Sequence, residues 1–105
     1  MSANPKNYKT LFEAVEELKA RGFNYDFDYQ NACLFCSKVS EKFEAKDLKI
    51  IEYYRFEGMS DPDDNSIVYA IESNKGHKGI LIDAYGAYAD EQKNAFIMDI
   101  PVVED

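Results

Sequence analysis

Residues 23–30 read Phe-Asn-Tyr-Asp-Phe-Asp-Tyr-Gln, and this stretch decides the fold class. Aromatic side chains occupy every odd position, and polar side chains occupy every even position. Successive side chains of an extended strand point to opposite faces of a sheet, so one face would be apolar and the other hydrated. The stretch therefore predicts a half-buried β-strand.

The segment before this strand has helical spacing instead. Its apolar side chains recur three and four residues apart, at Leu11, Ala14, Val15 and Leu18. Thr10 and Glu13 match a capping box, in which each side chain accepts a hydrogen bond from an unpaired amide at the helix start. Gly22 suits the left-handed residue that ends a helix, and Phe23 suits the apolar contact beyond it. We expect one amphipathic helix here.

Further strands are predicted after residue 30. Runs rich in β-branched and aromatic residues lie at 33–39, 49–57, 66–73 and 79–85. Residues 40–47 are charged and mixed, which is typical of a loop with one helical turn. Residues 59–65 are rich in aspartate around Pro62, which predicts a turn. Asp90 can cap a short last helix that ends before Pro101.

These elements predict an α+β fold in a single domain, residues 1–105. An N-terminal helix would pack on a mostly antiparallel meander of about five strands, followed by a short C-terminal helix. The connections between strands are too short for parallel crossovers. No linker or repeat divides the chain.

The bulk composition excludes several classes of function. The chain has 20 acidic and 12 basic residues, so its net charge of −8 argues against binding a nucleic acid backbone. No apolar run approaches the roughly 20 residues of a membrane-spanning helix, and no secretory signal begins the chain. Two cysteines are too few for a disulfide scaffold and fit the reducing cytoplasm as free thiols. We expect a cytoplasmic protein without a cofactor.

Cys33 and Cys36 form a C-x-x-C pair. Residues three apart on a strand point to opposite faces, which would separate the two sulfur atoms. The pattern therefore favours two structural cysteines over a redox or metal site, and both alternatives stay open.

The turn at 61–65 holds the densest group of acids. Asp61, Asp63 and Asn65 have the spacing of the first ligands in a calcium-binding loop. Ser66 stands where that loop needs glycine, and both flanks resemble strands. The pattern favours a hydrated hairpin loop, with weak cation binding as the alternative.

Strands three to five predict two different faces. One is apolar and would meet the helix; it carries Tyr54, Phe56, Ile67, Tyr69, Ile71, Ile80 and Ile82. The other mixes aromatic and charged side chains and is a candidate ligand or partner surface. Its candidate residues are Tyr53, Arg55, Glu57, Glu72, Asp83 and Tyr85. An ordinary hydrated face, with Arg55 paired to Glu57 or Glu72, is the alternative.

Residues 55–64, Arg-Phe-Glu-Gly-Met-Ser-Asp-Pro-Asp-Asp, resemble a motif of a family of short bacterial proteins of unknown function. Residues 69–71 and 79–86 extend the resemblance over most of the chain. Some members of that family are labelled phosphoribosylpyrophosphate synthetase. The pyrophosphate loop of that enzyme has paired acids followed by Thr and Gly, whereas the single threonine here is Thr10.

The sequence thus favours a binding domain over an enzyme. The first expectation is a cytoplasmic domain that binds a protein partner or a second copy of itself through the mixed sheet face. The alternative is a small-molecule binder or an enzyme with a polar pocket near the acidic turn.

Overall fold

The computed structural model describes residues 11–56, 66–84 and 91–103. Within these residues lie two α-helices, six β-strands and one 3₁₀ turn. They are α1 (Leu11–Ala20), β1 (Tyr25–Gln30), β2 (Cys33–Cys36), β3 (Glu41–Phe43), the 3₁₀ turn (Ala45–Asp47), β4 (Leu48–Phe56), β5 (Ser66–Ser73), β6 (Lys78–Ala84) and α2 (Glu91–Met98). The α+β class, the N-terminal helix and the short C-terminal helix are confirmed. The additional strand is β3, which lies where the sequence predicts a loop.

The six strands form one mixed sheet in the order β3-β2-β1-β6-β5-β4. The first three strands make one antiparallel meander, and the last three make another. A short parallel pairing joins β1 to β6, with Tyr25 opposite Gly79 and Asp26 opposite Ile80. The sheet is therefore two meanders side by side, since strands β3 and β4 are neighbours in sequence but lie at opposite edges.

This strand order requires the sheet to curl. Four residues connect Phe43 of β3 to Leu48 of β4, and five peptide steps reach at most about 18 Å. A flat six-stranded sheet would hold its edge strands about 24 Å apart. Contacts across the curl agree: the Phe43 ring lies 6.0 Å from the His77 ring. Lys75 Nζ lies 3.0 Å from Glu41 Oε1.

Helix α1 covers one face of this sheet and has a Schellman ending. The Phe23 amide donates to the Leu18 carbonyl, and the Gly22 amide donates to the Lys19 carbonyl. Gly22 has φ +109°, which favours glycine. The helix packs into what we call the α1-side core: Ala14, Leu18, Phe23, Tyr54, Val68, Ala70 and Ile80.

Helix α2 lies on the other face. The larger α2-side core fills this face: Phe27, Leu34, Cys36, Phe43, Leu48, Ile50, Ile67, Tyr69, Ile71, Leu81, Phe96, Ile97 and Ile100. The segment after α2 continues along the outer edge of β4. The Ile50 amide donates to the Pro101 carbonyl, and the Val103 amide donates to the Ile50 carbonyl, both at 2.8 Å.

The predicted division of the sheet faces is wrong for part of the sheet. Tyr54 and Phe56 do pack on the α1 side, but they lie there with Val68 and not with Ile67. Three residues assigned to that face, Ile67, Tyr69 and Ile71, belong to the α2-side core. Two layers cover the sheet, so central strand β5 is apolar on both faces and its alternation does not identify the helix side.

A β-bulge in β4 is the local cause of this error. Ile50 pairs with Ile71 and Glu52 pairs with Ala70, so Ile51 is an extra residue in the strand. Before the bulge, Leu48 and Ile50 face the α2-side core. After it the phase of the strand is reversed, because one inserted residue turns every later side chain to the other face.

Neither described helix is long and apolar enough to cross a lipid bilayer.

Candidate functional site

A cavity of about 260 Å³ opens between β4, β5, α2 and the segment after α2. We call it the α2 cavity. Its lining consists of Ile50, Tyr53, Arg55, Ile67, Tyr69, Ile97, Met98, Ile100 and Val102. Six of these nine side chains are aliphatic or thioether groups, two are phenols and one is a guanidinium. The lining is therefore mainly apolar with a few polar groups, which is typical of small-molecule sites.

The lining changes character from the floor of the cavity to its mouth. Buried Ile50, Ile67 and Ile97 form the floor. At the mouth, Met98 is 74% exposed, Val102 is 46% exposed and Tyr53 is 38% exposed. Arg55 is also exposed. A molecule in this cavity would meet hydrocarbon at its inner end and water and a cation at its outer end.

The bulge at Ile51 brings Tyr53 and Arg55 to the cavity. Without the bulge, regular alternation of the same residues from Leu48 and Ile50 would direct Glu52 and Tyr54 to this face. With it, Glu52 is on the α1 side, where two of its oxygens accept hydrogen bonds from Arg21 at 2.8 and 2.6 Å. The local backbone irregularity thus exchanges a carboxylate for a guanidinium on the cavity side.

Arg55 and Asp83 lie in one row across three strands. Arg55 is opposite Ile67, and Ile67 is opposite Asp83, so all three share the α2 face of the sheet. Asp83 is only 6% exposed. Lys93 of α2 partly balances its charge, with Nζ 3.7 Å from Asp83 Oδ1. The same Nζ donates to the Ile82 carbonyl at 2.9 Å.

The Tyr69 phenol lies within the electrostatic influence of this row. Burial raises the pKa of Tyr69 above its ordinary value, and the Asp83 carboxylate raises it further. Arg55 opposes this shift, while Tyr53 adds to it. The Tyr53 and Tyr69 rings contact each other with centroids 6.3 Å apart. Tyr69 is therefore a neutral hydroxyl at physiological pH and can donate a hydrogen bond.

The structure brings together three of the six candidate residues, Tyr53, Arg55 and Asp83. Glu72 lies on the opposite face, because it alternates with Ile71 of the α2-side core. Its carboxylate is 3.9 Å from Lys49 Nζ. Two candidates, Glu57 and Tyr85, lie outside the described residues.

The alternative cation site also lies outside the described residues, because Asp61, Asp63 and Asn65 all fall between positions 57 and 65. Across 11–56, 66–84 and 91–103, no three His, Cys, Asp or Glu side chains are grouped so that they could hold a metal ion.

Cys33 and Cys36 are both free thiols in β2. Cys36 is buried with Leu34 in the α2-side core, and Cys33 lies half-buried on the other face. The strand geometry separates the two sulfur atoms, as the i, i+3 spacing predicts.

Sequence reasoning did not identify Tyr69 or any residue of α2 as part of the candidate site. Tyr69 was expected on the apolar face toward the N-terminal helix. The available signal was the doublet Ile50-Ile51, which interrupts alternation in β4 and is typical of a bulge. Helix α2 (EQKNAFIM) has no clear apolar stripe, so its pattern could not show which face it covers.

Two larger grooves are more polar at their walls. One, of about 500 Å³, includes Lys46, Asp47, Lys49 and Glu72. The other, of about 510 Å³, includes the exposed residues Asn31, Gln92 and Asp99. Neither has as large a share of apolar side chains in its lining as the α2 cavity, which is therefore the stronger candidate site.

Comparisons with protein-family models, curated proteins and solved structures found no match.

Proposed function

We propose that this domain binds a small, largely apolar molecule in the α2 cavity. The observation that carries the proposal is the lining itself: a buried isoleucine floor with the Tyr69 phenol beside it, and the Tyr53 phenol and the Arg55 guanidinium at the opening. Apolar burial supplies affinity, and a few convergent polar groups supply orientation. The named lining side chains include no thiol, imidazole or carboxylate, which supports binding rather than catalysis.

The volume limits the size of the ligand. About 260 Å³ equals the liquid volume of roughly nine water molecules. We therefore expect ligands of about seven to ten non-hydrogen atoms. Ligands of this size contribute roughly 0.5 kcal/mol per atom, which corresponds to a dissociation constant near the millimolar range.

The test is titration with 1-hexanol, followed by amide shifts in ¹H–¹⁵N spectra. We expect saturable shifts at Ile50, Ile67 and Ile97. Val102→Trp replaces a small aliphatic side chain at the mouth with an indole ring and should abolish these shifts. The matched control is Ile82→Trp, because Ile82 is 42% exposed and does not line the cavity.

Shifts spread over the whole surface, or unchanged in Val102→Trp, would contradict the proposed site. A melting curve for each variant separates loss of the cavity from loss of the fold.

A second candidate function is contact with a protein partner or a second copy of the chain. Its support is the apolar rim formed by Tyr53, Met98 and Val102, since exposed apolar patches are typical of interfaces. Sedimentation velocity at tens of micromolar tests self-association. A dimer that Met98→Lys dissociates supports this candidate, whereas a monomer at all concentrations removes its self-association form.

We further propose a cytoplasmic location and no role in nucleic acid binding. Free thiols support the first, and the net charge of −8 supports the second. We also infer membership of the family whose motif the 55–64 segment resembles. In this chain that motif begins at Arg55, the guanidinium at the mouth of the cavity.

A further inference from the structure

We infer that the ligand of the α2 cavity is an apolar monocarboxylate, which enters tail first and leaves its carboxylate at Arg55. This inference rests on the proposed function and specifies its ligand class. It depends on the polarity of the cavity along its depth, on the identity of the cation at its mouth and on the charge of the whole domain.

The orientation follows from burial. Ile50, Ile67, Ile97 and Ile100 are all buried, so the inner end offers apolar contact with the Tyr69 hydroxyl as its one polar group. A charged group placed there would lose its hydration, and a single phenol donor would compensate only a small part of that loss. Arg55 is exposed at the opening, where an anionic head keeps part of its water. The favourable arrangement therefore places the hydrocarbon inside and the charge outside.

The head group follows from the chemistry of arginine. The guanidinium is charged at every physiological pH and carries five N–H donors in a planar fork. A carboxylate can accept two of these donors in parallel. Because Arg55 carries five N–H donors, it can bind a carboxylate while another of its donors is hydrogen-bonded to a different group of the protein.

Two observations favour a single negative charge over a phosphate head. The domain has a net charge of −8, which opposes each additional negative charge. The buried Asp83 also lies in the same row as Arg55, one strand beyond Ile67. A dianion would be repelled more strongly by the net negative charge and by Asp83. The single charge of a monoanion can be balanced by one guanidinium.

The tail length follows from the cavity volume. About 260 Å³ accommodates five to seven carbon atoms beside a carboxylate. We therefore expect hexanoate to bind better than butanoate, which leaves part of the floor in contact with water. We also expect it to bind better than decanoate, whose last carbons exceed the space.

The experiment compares matched probes with one chain length: hexanoate, 1-hexanol, hexylammonium and hexyl phosphate. Each is titrated into the full chain at pH 7 and low salt, with amide shifts as the readout. We expect hexanoate to bind about five to ten times more tightly than 1-hexanol, and hexylammonium to bind more weakly than either. Added salt should reduce the advantage of hexanoate, because the mouth is exposed.

Arg55→Gln should weaken hexanoate much more than 1-hexanol, so that the advantage of hexanoate over 1-hexanol is lost. Arg55→Lys should retain part of it, since the charge stays and the bidentate geometry is lost. The matched control is Arg21→Gln, which removes a guanidinium on the α1 side of the sheet. That variant should keep the wild-type ratio of hexanoate to 1-hexanol affinity.

The outcomes separate the two proposals. If neither hexanoate nor 1-hexanol binds in the cavity, the proposed function fails and this inference fails with it. If 1-hexanol binds as well as hexanoate, the cavity is a binding site but the ligand class is wrong. Tighter binding of hexyl phosphate than of hexanoate would also overturn the monocarboxylate class.

Discussion

Arg55 and Asp83 occupy equivalent positions on either side of Ile67, two strands apart on the same face of the sheet. This row brings opposite charges toward the Tyr69 phenol, which is buried beside the cavity. The charge state of the site can therefore be measured through a tyrosine.

The first prediction concerns the pKa of Tyr69. Asp83→Asn removes a cause of the upward shift, so it should lower the pKa of this phenol. Arg55→Gln removes the opposing cause, so it should raise the pKa. Absorbance titration near 295 nm measures both, with Tyr69→Phe identifying the contribution of this residue. Shifts in the same direction for the two variants would contradict the arrangement.

The second prediction follows from the same shift. The folded pKa of Tyr69 lies above its ordinary value of 10.0, so the folded state keeps the proton longer than the unfolded state. Its contribution to stability is complete below pH 10 and is lost as the pH rises from there through the folded pKa. Urea unfolding above pH 10 should therefore show a smaller loss of stability in Tyr69→Phe than in the wild type. An equal loss in both proteins would show that the phenol is not shifted.

The third prediction concerns the contact that joins the two meanders. A Cβ atom at Gly79 would lie 2.5 Å from the Tyr25 carbonyl oxygen and 2.8 Å from Phe27 Cε2. Backbone cannot yield as a flexible side chain does, so Gly79→Ala should cost about 2–3 kcal/mol of unfolding free energy. That loss corresponds to roughly 10 °C or more in Tm.

Amide hydrogen exchange localises this effect. Protection in β1 and β6 should fall most in Gly79→Ala. In Gly76→Ala the new Cβ meets open space, and the cost is backbone strain confined to the turn. A loss below about 1 kcal/mol in Gly79→Ala would mean that β1 and β6 separate easily.

The fourth prediction concerns the turn between β1 and β2. Asn31 and Ala32 have φ of +47° and +63°, as a two-residue type I′ turn requires. Asparagine tolerates this conformation, whereas alanine is strained by its Cβ atom. Ala32→Gly should therefore increase the unfolding free energy by about 0.5–1 kcal/mol, measured by urea denaturation.

Ala20→Gly is the matched control for this substitution. Ala20 is exposed at the end of α1, where glycine should lower stability by about 0.5–1 kcal/mol. Destabilisation by both substitutions would contradict the strain assigned to Ala32.

Local sequence signals predicted the local structure well. The Thr10 to Gly22 pattern predicts a helix, and the structure ends it at Gly22 with the expected hydrogen bonds. The alternation at 25–30 and the apolar run at 66–73 are both strands. These features depend on neighbours within a few residues, which the sequence displays directly.

Long-range features could not be predicted in this way. The parallel pairing of Tyr25 with Gly79 joins positions 54 residues apart, and no turn residue signals it. The position of α2 is equally hidden, since buried Phe96 and Ile97 are consecutive and define no stripe. The α2 cavity depends on both, so the sequence identified Tyr53, Arg55 and Asp83 without showing what encloses them.

The extra residue at Ile51 has a consequence for how this chain tolerates insertions and deletions. Deleting Ile51 would remove the bulge and restore regular alternation from Ile50 through Glu52, so Tyr53 and Arg55 would stay on the cavity side and Tyr54 on the α1 side. Deletions are usually judged by whether they fall in loops or in strands. In β4 the bulge makes Ile51 a surplus residue, so a single-codon deletion at that position would keep the cationic mouth of the cavity.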